Sequence, residues 1–401
     1  MVAFELAMKR IKMPNSIISF INQLYKDREI RVITDKGPTE FFIAGDGIDQ
    51  GEVISPLMWR IFYDPLLSRI QQTKLGYQMK LRWPSDIKEN KFKTEIATIS
   101  ALAYADDTTW IAGSKSALQE IIKISEGFFK LNDIEINGAK SEVISWQPHE
   151  QRNKKEFVQI GTPPSNVRVK EAEESTRFLG VWVSFKKQEK ISIARCKREV
   201  GKMTSILRSK KLSASQIVYI NNMVLLLKLE YLLANVCLRK RNCDAIHQPM
   251  VRLLKWKMEL PSTCANATLL HKEVFGVMSL WQKHIEHQIS ELFVRINTDG
   301  LVGKTTIIRL KQFQIDTGRP DCILTSDTVK ETKVKYRNLK AKILQHAKRL
   351  GIKVAKNEFT ESWNMLSSQE DRRDFIYNIL DKYNIENGQT SLISLNLWHI
   401  N

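Results

Sequence analysis

Residues 1 to about 185 read as a mixed α/β region, and the remainder reads as helical and basic. Three observations carry this. Apolar alternation rich in β-branched and aromatic residues recurs between segments of helical spacing, up to "RFLGVWVSF" at 177–185. From residue 188 the apolar spacing is helical almost to the end. Between Lys186 and Lys257 there are 17 Lys and Arg against 4 Asp and Glu, an excess of 13 in 72 residues of a chain whose net charge is +18.

Taken in order, residues 2–12 and 15–26 predict helices separated by Pro14. "REIRVIT" and "TEFFIA" flank "DKGP" and predict a β-hairpin. A glycine-rich loop, "GDGIDQGEVISP", covers 45–56. Residues 57–72 have helical spacing that Pro65 should bend or interrupt. "GYQMKLRW" reads as a strand, "PSDIKENKFK" as a polar connection, and "ATISALAY" and "TTWIA" as strands on either side of Ala105-Asp106-Asp107. A helix should start near Ser114 or Ser116, with Leu118, Ile121, Ile122, Ser125, Phe128 and Phe129 on one stripe. A turn and strand follow at 137–146, then a polar stretch over 147–175, then "RFLGVWVSF" as one short strand. Breaks in the helical part fall near Ser213, Asn242, Pro261 and "DTGRPDC". Residues 217–238 read as a long, largely buried helix, because Asn221, Asn222, Lys228 and Glu230 interrupt any span of membrane length. The resulting domain expectation is 1–185, 186–260 and 261–401.

The charge points to a polyanionic partner, with nucleic acid first. Five scattered cysteines and no visible signal peptide predict reduced thiols and an intracellular protein, nuclear or cytoplasmic, without a membrane span. The spacing of Cys237, Cys243 and His247 fits neither a zinc finger nor a knuckle. His284 and His287 read as exposed helix histidines.

The most informative feature is the pair Asp106-Asp107 between two strands. This order places both carboxylates at a hairpin tip, where each resists ionising beside the other. A divalent cation relieves the conflict, since hard oxygen ligands suit magnesium. An isolated Ala-Asp-Asp is also an ordinary turn with two solvated acids.

The surrounding motifs decide between these readings. "LAYADD" resembles the Tyr-x-Asp-Asp hairpin of reverse transcriptases. "GIDQGEVISPLMWRIFYDPLL" resembles their Gln-Gly-x-x-x-Ser-Pro segment, in the form found in the non-LTR (LINE-type) retrotransposon branch. "INGAKSEV" resembles the Asn-x-x-Lys element, and "RFLGVWV" the primer-grip strand. The order matches as well, over residues 1 to about 260. Viral RNA-dependent RNA polymerases, which are also palm polymerases, usually carry Gly-Asp-Asp where Ala105 precedes the acids here.

The resemblance implies an α/β (α+β) polymerase palm with an antiparallel sheet and packed helices, then an all-helical thumb and a C-terminal helical extension. It implies template-directed nucleotidyl transfer with two Mg2+ ions, Mn2+ as a substitute, and RNA template, DNA primer or RNA–DNA duplex, and deoxynucleoside triphosphates as partners. Asp106 and Asp107 would be metal ligands, and Tyr104 would lie beneath the primer terminus, whereas composition alone makes it a core strand aromatic. Gln50 and Gly51 would shape the nucleotide pocket, Gly51 by letting backbone approach closely. Ser55 and Pro56 would start the helix behind it, Ser55 as its N-cap. Lys140 would stand near the departing pyrophosphate and Asn137 would fix the turn before it. Phe178, Leu179 and Gly180 would form the primer-grip strand, and Lys197, Lys202, Arg208, Lys210 and Lys211 would grip nucleic-acid backbone.

The family's further aspartate, on a strand before the Gln-Gly segment, has no counterpart in this sequence. "MVAFELAMKRIKMP" resembles the helix after that motif, so the fingers and first catalytic strand are expected to be missing and the chain to be inactive alone, with an open palm-sheet edge. No RNase H carboxylate set and no endonuclease signature is found.

Overall fold

A computed structural model describes residues 2–44, 47–48, 51–86, 91–146, 156–161, 164–316, 323–324 and 339–350. In chain order the elements are helices α1 (Val2–Arg10) and α2 (Asn15–Tyr25), strands β1 (Arg28–Ile30), β2 (Ile33–Thr34), β3 (Gly37–Pro38) and β4 (Phe42–Ala44), and helix α3 (Ser55–Thr73). Strands β5 (Tyr77–Asp86), β6 (Lys91–Ile99), β7 (Ala101–Tyr104) and β8 (Asp107–Trp110) lead to α4 (Lys115–Leu131). A 3-10 turn at Gly138–Lys140 and strands β9 (Val143–Ile144), β10 (Phe157–Ile160), β11 (Ser165–Lys170), β12 (Thr176–Phe178) and β13 (Val181–Val183) complete the mixed part. Helices α5 (Gln188–Arg208), α6 (Ala214–Tyr219), α7 (Leu226–Leu232), α8 (Lys240–Lys257), α9 (Asn266–Leu270), α10 (Leu280–Asn297), α11 (Leu301–Asp316) and α12 (Leu339–Arg349) follow.

The chain forms two compact units. The first contains residues 1–78, 98–143 and 149–169; the second contains 79–97, 144–148 and 170–401.

In the first unit, α1 and α2 bury Phe4, Ala7, Met8, Ile18, Ile21 and Tyr25 against Met58 and Ile61 of α3. The C-terminal half of α3 and the α4 stripe meet in a second cluster of Tyr63, Leu66, Ile70 and Ile121, with Phe128 and Phe129 beside it. Helix α3 runs through Pro65 without interruption. Helix α4 starts after Ser114, whose hydroxyl accepts from the Ala117 amide at 3.2 Å. Strands β9, β10 and β11 form a three-stranded sheet in the order β10-β11-β9, inside the stretch that the sequence marks only as polar. Every other sheet among the described residues is two-stranded. Strands β5 and β6, most of which belong to the second unit, extend into the predicted polar connection as one paired ribbon.

In the second unit, α5, α6, α7 and α8 pack around Cys196, Val200, Leu225, Leu226, Leu229, Cys243, Ile246, Met250 and Leu254. Helix α6 begins with a capping box between Ser213 and Gln216. Between α6 and α7 the helix widens to a π segment, Ile220–Leu225. There Asn221 is fully buried, its Oδ1 2.8 Å from His247 Nε2. Asn222 donates to the Gly276 carbonyl at 2.9 Å and accepts from the Met278 amide at 2.9 Å. Two asparagine side chains thus satisfy the loop ahead of α10 from within the helix. The next break lies at 233–239, earlier than the sequence spacing places it.

His284 corrects the sequence expectation: it is fully buried, and its Nε2 accepts from the Leu238 amide at 3.1 Å. It shares an i,i+4 stripe with Leu280, Gln288, Leu292 and Ile296, all buried on α10. His287, one turn away, is half-buried rather than exposed and pairs with Glu230 at 2.9 Å. Among the described residues no helix is long and apolar enough to cross a membrane.

Burial pushes His247 down to about 4, and burial, aided by His287 and His346, does the same to His284. The folded unit therefore holds both imidazoles neutral, while the unfolded chain takes up protons near 6.5. Stability should be full above about pH 6.5 and fall as pH drops toward about 4. Between pH 7 and 5 the loss should be on the order of 2 kcal/mol per histidine. Urea denaturation at both pH values should show that His247→Gln removes about half of this histidine-linked slope.

Candidate functional site

The acidic turn is built by strand register. In the β7–β8 hairpin Tyr104 faces Asp107, Ala103 faces Thr108, Leu102 faces Thr109 and Ala101 faces Trp110. Since cross-strand partners share a face, Leu102, Tyr104, Asp107 and Thr109 lie on one side, and Ala101, Ala103, Thr108 and Trp110 on the other. The second side meets the helices, with Trp110 packed beside the Tyr63–Ile121 cluster. The first side is open: Tyr104 is 68% exposed and Leu102 49%. Tyr104 is therefore no core aromatic.

Ala105 and Asp106 form the two-residue turn, and Ala105 is held at φ 51. A left-handed alanine costs about 1–2 kcal/mol. Trp59 offsets that cost. Its indole Nε1 donates to the Ala105 carbonyl at 2.7 Å. One turn along α3, the Tyr63 hydroxyl lies 2.9 Å from Thr108 Oγ1. Burial pushes the Tyr63 phenol up, so this hydroxyl stays protonated. The two rings stack at 5.6 Å and 20°, and Phe128 meets Tyr63 edge-on at 6.1 Å. Trp59 and Tyr63 were not singled out from sequence. Their i,i+4 aromatic spacing on the helix that starts at Ser55-Pro56 is the signal that marks them.

Asp106 and Asp107 are both exposed. Gln50 lies outside the described residues. Gly51 takes φ +101, and nothing stands within 4 Å of where a Cβ would be. The backbone conformation, rather than close approach, accounts for glycine there. Ser55 is the buried first residue of α3, not its N-cap; Ile54 holds that position without a side-chain cap, and Pro56 follows in the first turn.

Lys140 is exposed at the end of its 3-10 turn. Asn137 caps that turn, its Oδ1 accepting from the Lys140 amide at 3.1 Å. Gly138 packs so closely on β11 that a Cβ would stand 2.7 Å from Ser165 Cβ.

Phe178, Leu179 and Gly180 belong to the second unit. They form a bend rather than one strand: β12 and β13 pair antiparallel, Phe178 opposite Val181, with Leu179 at φ 46 and Gly180 at φ 81 between them. An apolar leucine in the left-handed region is what hides this turn from sequence reading. The Tyr231 hydroxyl donates to the Leu179 carbonyl, and its ring lies 3.5 Å from a Cβ built on Gly180. The adjoining Gln188 bridges β13 to α5, accepting from the Ser184 amide at 2.7 Å and donating to the Trp182 carbonyl at 2.8 Å. Lys197, Lys202, Arg208, Lys210 and Lys211 are all exposed on or just after α5. Lys202 lies 3.8 Å from Glu199, which also pairs with Lys228 at 2.6 Å.

Residues 4–183 match the family model of reverse transcriptase (RNA-dependent DNA polymerase). The acidic hairpin, α3 and the Asn137–Lys140 turn all fall inside that match. No curated protein matches the chain. Reverse transcriptases use divalent metal ions, and Asp106 and Asp107 are donors of the right hardness. Among the described residues, however, no group of three or more His, Cys, Asp or Glu comes together to hold one.

Trp59→Phe removes one hydrogen bond and keeps most of the ring contacts. It should lower stability by about 1–2 kcal/mol and speed amide exchange in the β7–β8 hairpin, as read by denaturation and hydrogen exchange. Gly138→Ala should cost about 1–3 kcal/mol, because the nearest atom is the Ser165 Cβ rather than a flexible tip.

Proposed function

We propose that the chain is the palm and thumb portion of a reverse transcriptase of the non-LTR retrotransposon branch. Residues 1–185 would correspond to the partial palm, 186–260 to the thumb and 261–401 to a helical extension. Its ancestral reaction is nucleotidyl transfer from deoxynucleoside triphosphates to a DNA primer on an RNA template. The observation that carries this reading is the acidic turn clamped by Trp59 within the stretch that the family model matches.

In this reading Asp106 and Asp107 contribute two of the carboxylates of a magnesium-dependent site, and Tyr104 presents its exposed ring on the same face as Asp107. The exposed cations of α5 hold nucleic-acid backbone, with little sequence preference and strong salt dependence. The exposed cations on and just after α5 also support a second reading of this chain by itself: it binds nucleic acid without synthesising it.

Primer extension on an RNA template with magnesium separates the two. No measurable product is expected from the 401-residue chain, together with primer–template binding that weakens steeply as salt rises. Clear synthesis abolished by Asp106→Ala would overturn the inactive reading, and weak, salt-insensitive binding would overturn the nucleic-acid reading itself.

A further inference from the structure

We infer that the C-terminal ends of α5 and α8 form a site for an unpaired base of a single-stranded nucleic acid, with Trp256 as the stacking surface. The inference rests on the nucleic-acid reading above and specifies which strand form this patch takes.

The helix register singles out Trp256. The core stripe of α8 ends in Leu253 and Leu254, 7% and 0% exposed, whereas Trp256 leaves 58% of its surface open. An indole is an expensive group to leave in water, as its burial would contribute a few kcal/mol.

Cations surround it. Lys257 Nζ stands 4.7 Å and Arg208 Cζ 6.0 Å from the ring. Arg252, one turn earlier on α8, is exposed on the same side, and exposed Lys210 and Lys211 follow α5. No acid occurs at 200–211 or 245–258; Glu259 is the first beyond.

Lys257 has a separate task. Its ammonium donates to the Arg208 carbonyl at 3.1 Å and also to the Lys210 carbonyl. Those oxygens form the negative end of α5 and would repel a phosphate. With Lys257 neutralising them, Arg208, Lys210, Lys211 and Arg252 remain to meet a phosphate backbone.

An open aromatic face ringed by phosphate-binding cations suits a single strand, which can turn a base onto the ring while its phosphates meet the cations. A duplex keeps its bases stacked internally and would engage only the cations. A plain cation–π contact at the helix ends would also place Arg208 and Lys257 near the ring, but it would give Trp256 no preference between strand forms.

The test uses the full chain and two labelled probes, an oligo(dT) of about 12 nucleotides and a blunt duplex of equal length, titrated at several salt concentrations. Trp256→Ala should weaken oligo(dT) binding about 5- to 100-fold, with the salt slope unchanged and duplex binding within about twofold. Trp256→Tyr should keep most of the affinity, and equal thermal melts should show that both variants fold. Lys210→Ala/Lys211→Ala should weaken both probes and flatten the slope by about 1–2. Should Trp256→Ala leave oligo(dT) binding unchanged, or weaken both probes equally, the stacking site is overturned while the lysine result still supports the broader reading. If the wild-type chain shows no salt-dependent binding to either probe, both fall together.

Discussion

The hydrogen bond from Trp59 to the Ala105 carbonyl is the contact on which the acidic turn depends. A two-residue turn of Ala105 and Asp106 with Asp107 directly after it is unfavourable twice over, through a left-handed alanine and through like charges. The strands cannot hold it alone, since a two-stranded hairpin is marginal in water. Helix α3 supplies the missing support. Its N-terminal half packs on α1 and α2, its C-terminal half on α4, and the aromatic pair between them reaches the turn. The exposed acids are therefore positioned by buried rings.

The second unit solves a different problem with the same means. Its helices are strongly basic outside, so cohesion must come from the interior. There Asn221, His247, His284 and Gln288 are buried among leucines, and each has a partner. Gln288 donates to the Ala234 carbonyl at 3.2 Å and His284 accepts from the Leu238 amide, so α10 closes the end of α7 with side chains where no glycine is available to cap it. Lysine takes a similar part: Lys255 donates to the Ser262 and Cys264 carbonyls, and Lys311 reaches Glu95 at 3.0 Å while lying over Trp83 at 4.0 Å. Some of the 62 basic residues thus belong to the scaffold rather than to a ligand surface.

Alternation and capping made much of this legible in sequence. The β7–β8 hairpin follows from apolar alternation on both sides of the acids, α4 from its stripe and Ser114, and α6 from Ser213. Strands β10 and β11 escaped because "FVQI" and "SNVRVK" are short and lie in a polar stretch. The β12–β13 turn escaped because Leu179 continues an apolar run, and only Tyr231, 52 residues away, shows why the bend holds. His284 was legible in principle from its i,i+4 stripe, which outweighs the polarity of a single side chain. Which helix face supports the acid turn was not legible, since that depends on a contact between residues 46 positions apart.

The π segment at Ile220–Leu225 works as a phase shifter. An α-helix turns about 100° per residue, so the additional residue in one wide turn re-aims everything after it. Ile217 before the segment and Leu226 and Leu229 after it can all face one interior only because of that offset. This makes the stretch tolerant of side-chain exchange on its outer surface but intolerant of an added residue. Adding one residue here would rotate the leucines of α7 toward solvent, whereas removing one would restore a regular helix with the same leucines still facing inward, at the cost of the wide turn that holds Asn221 and Asn222.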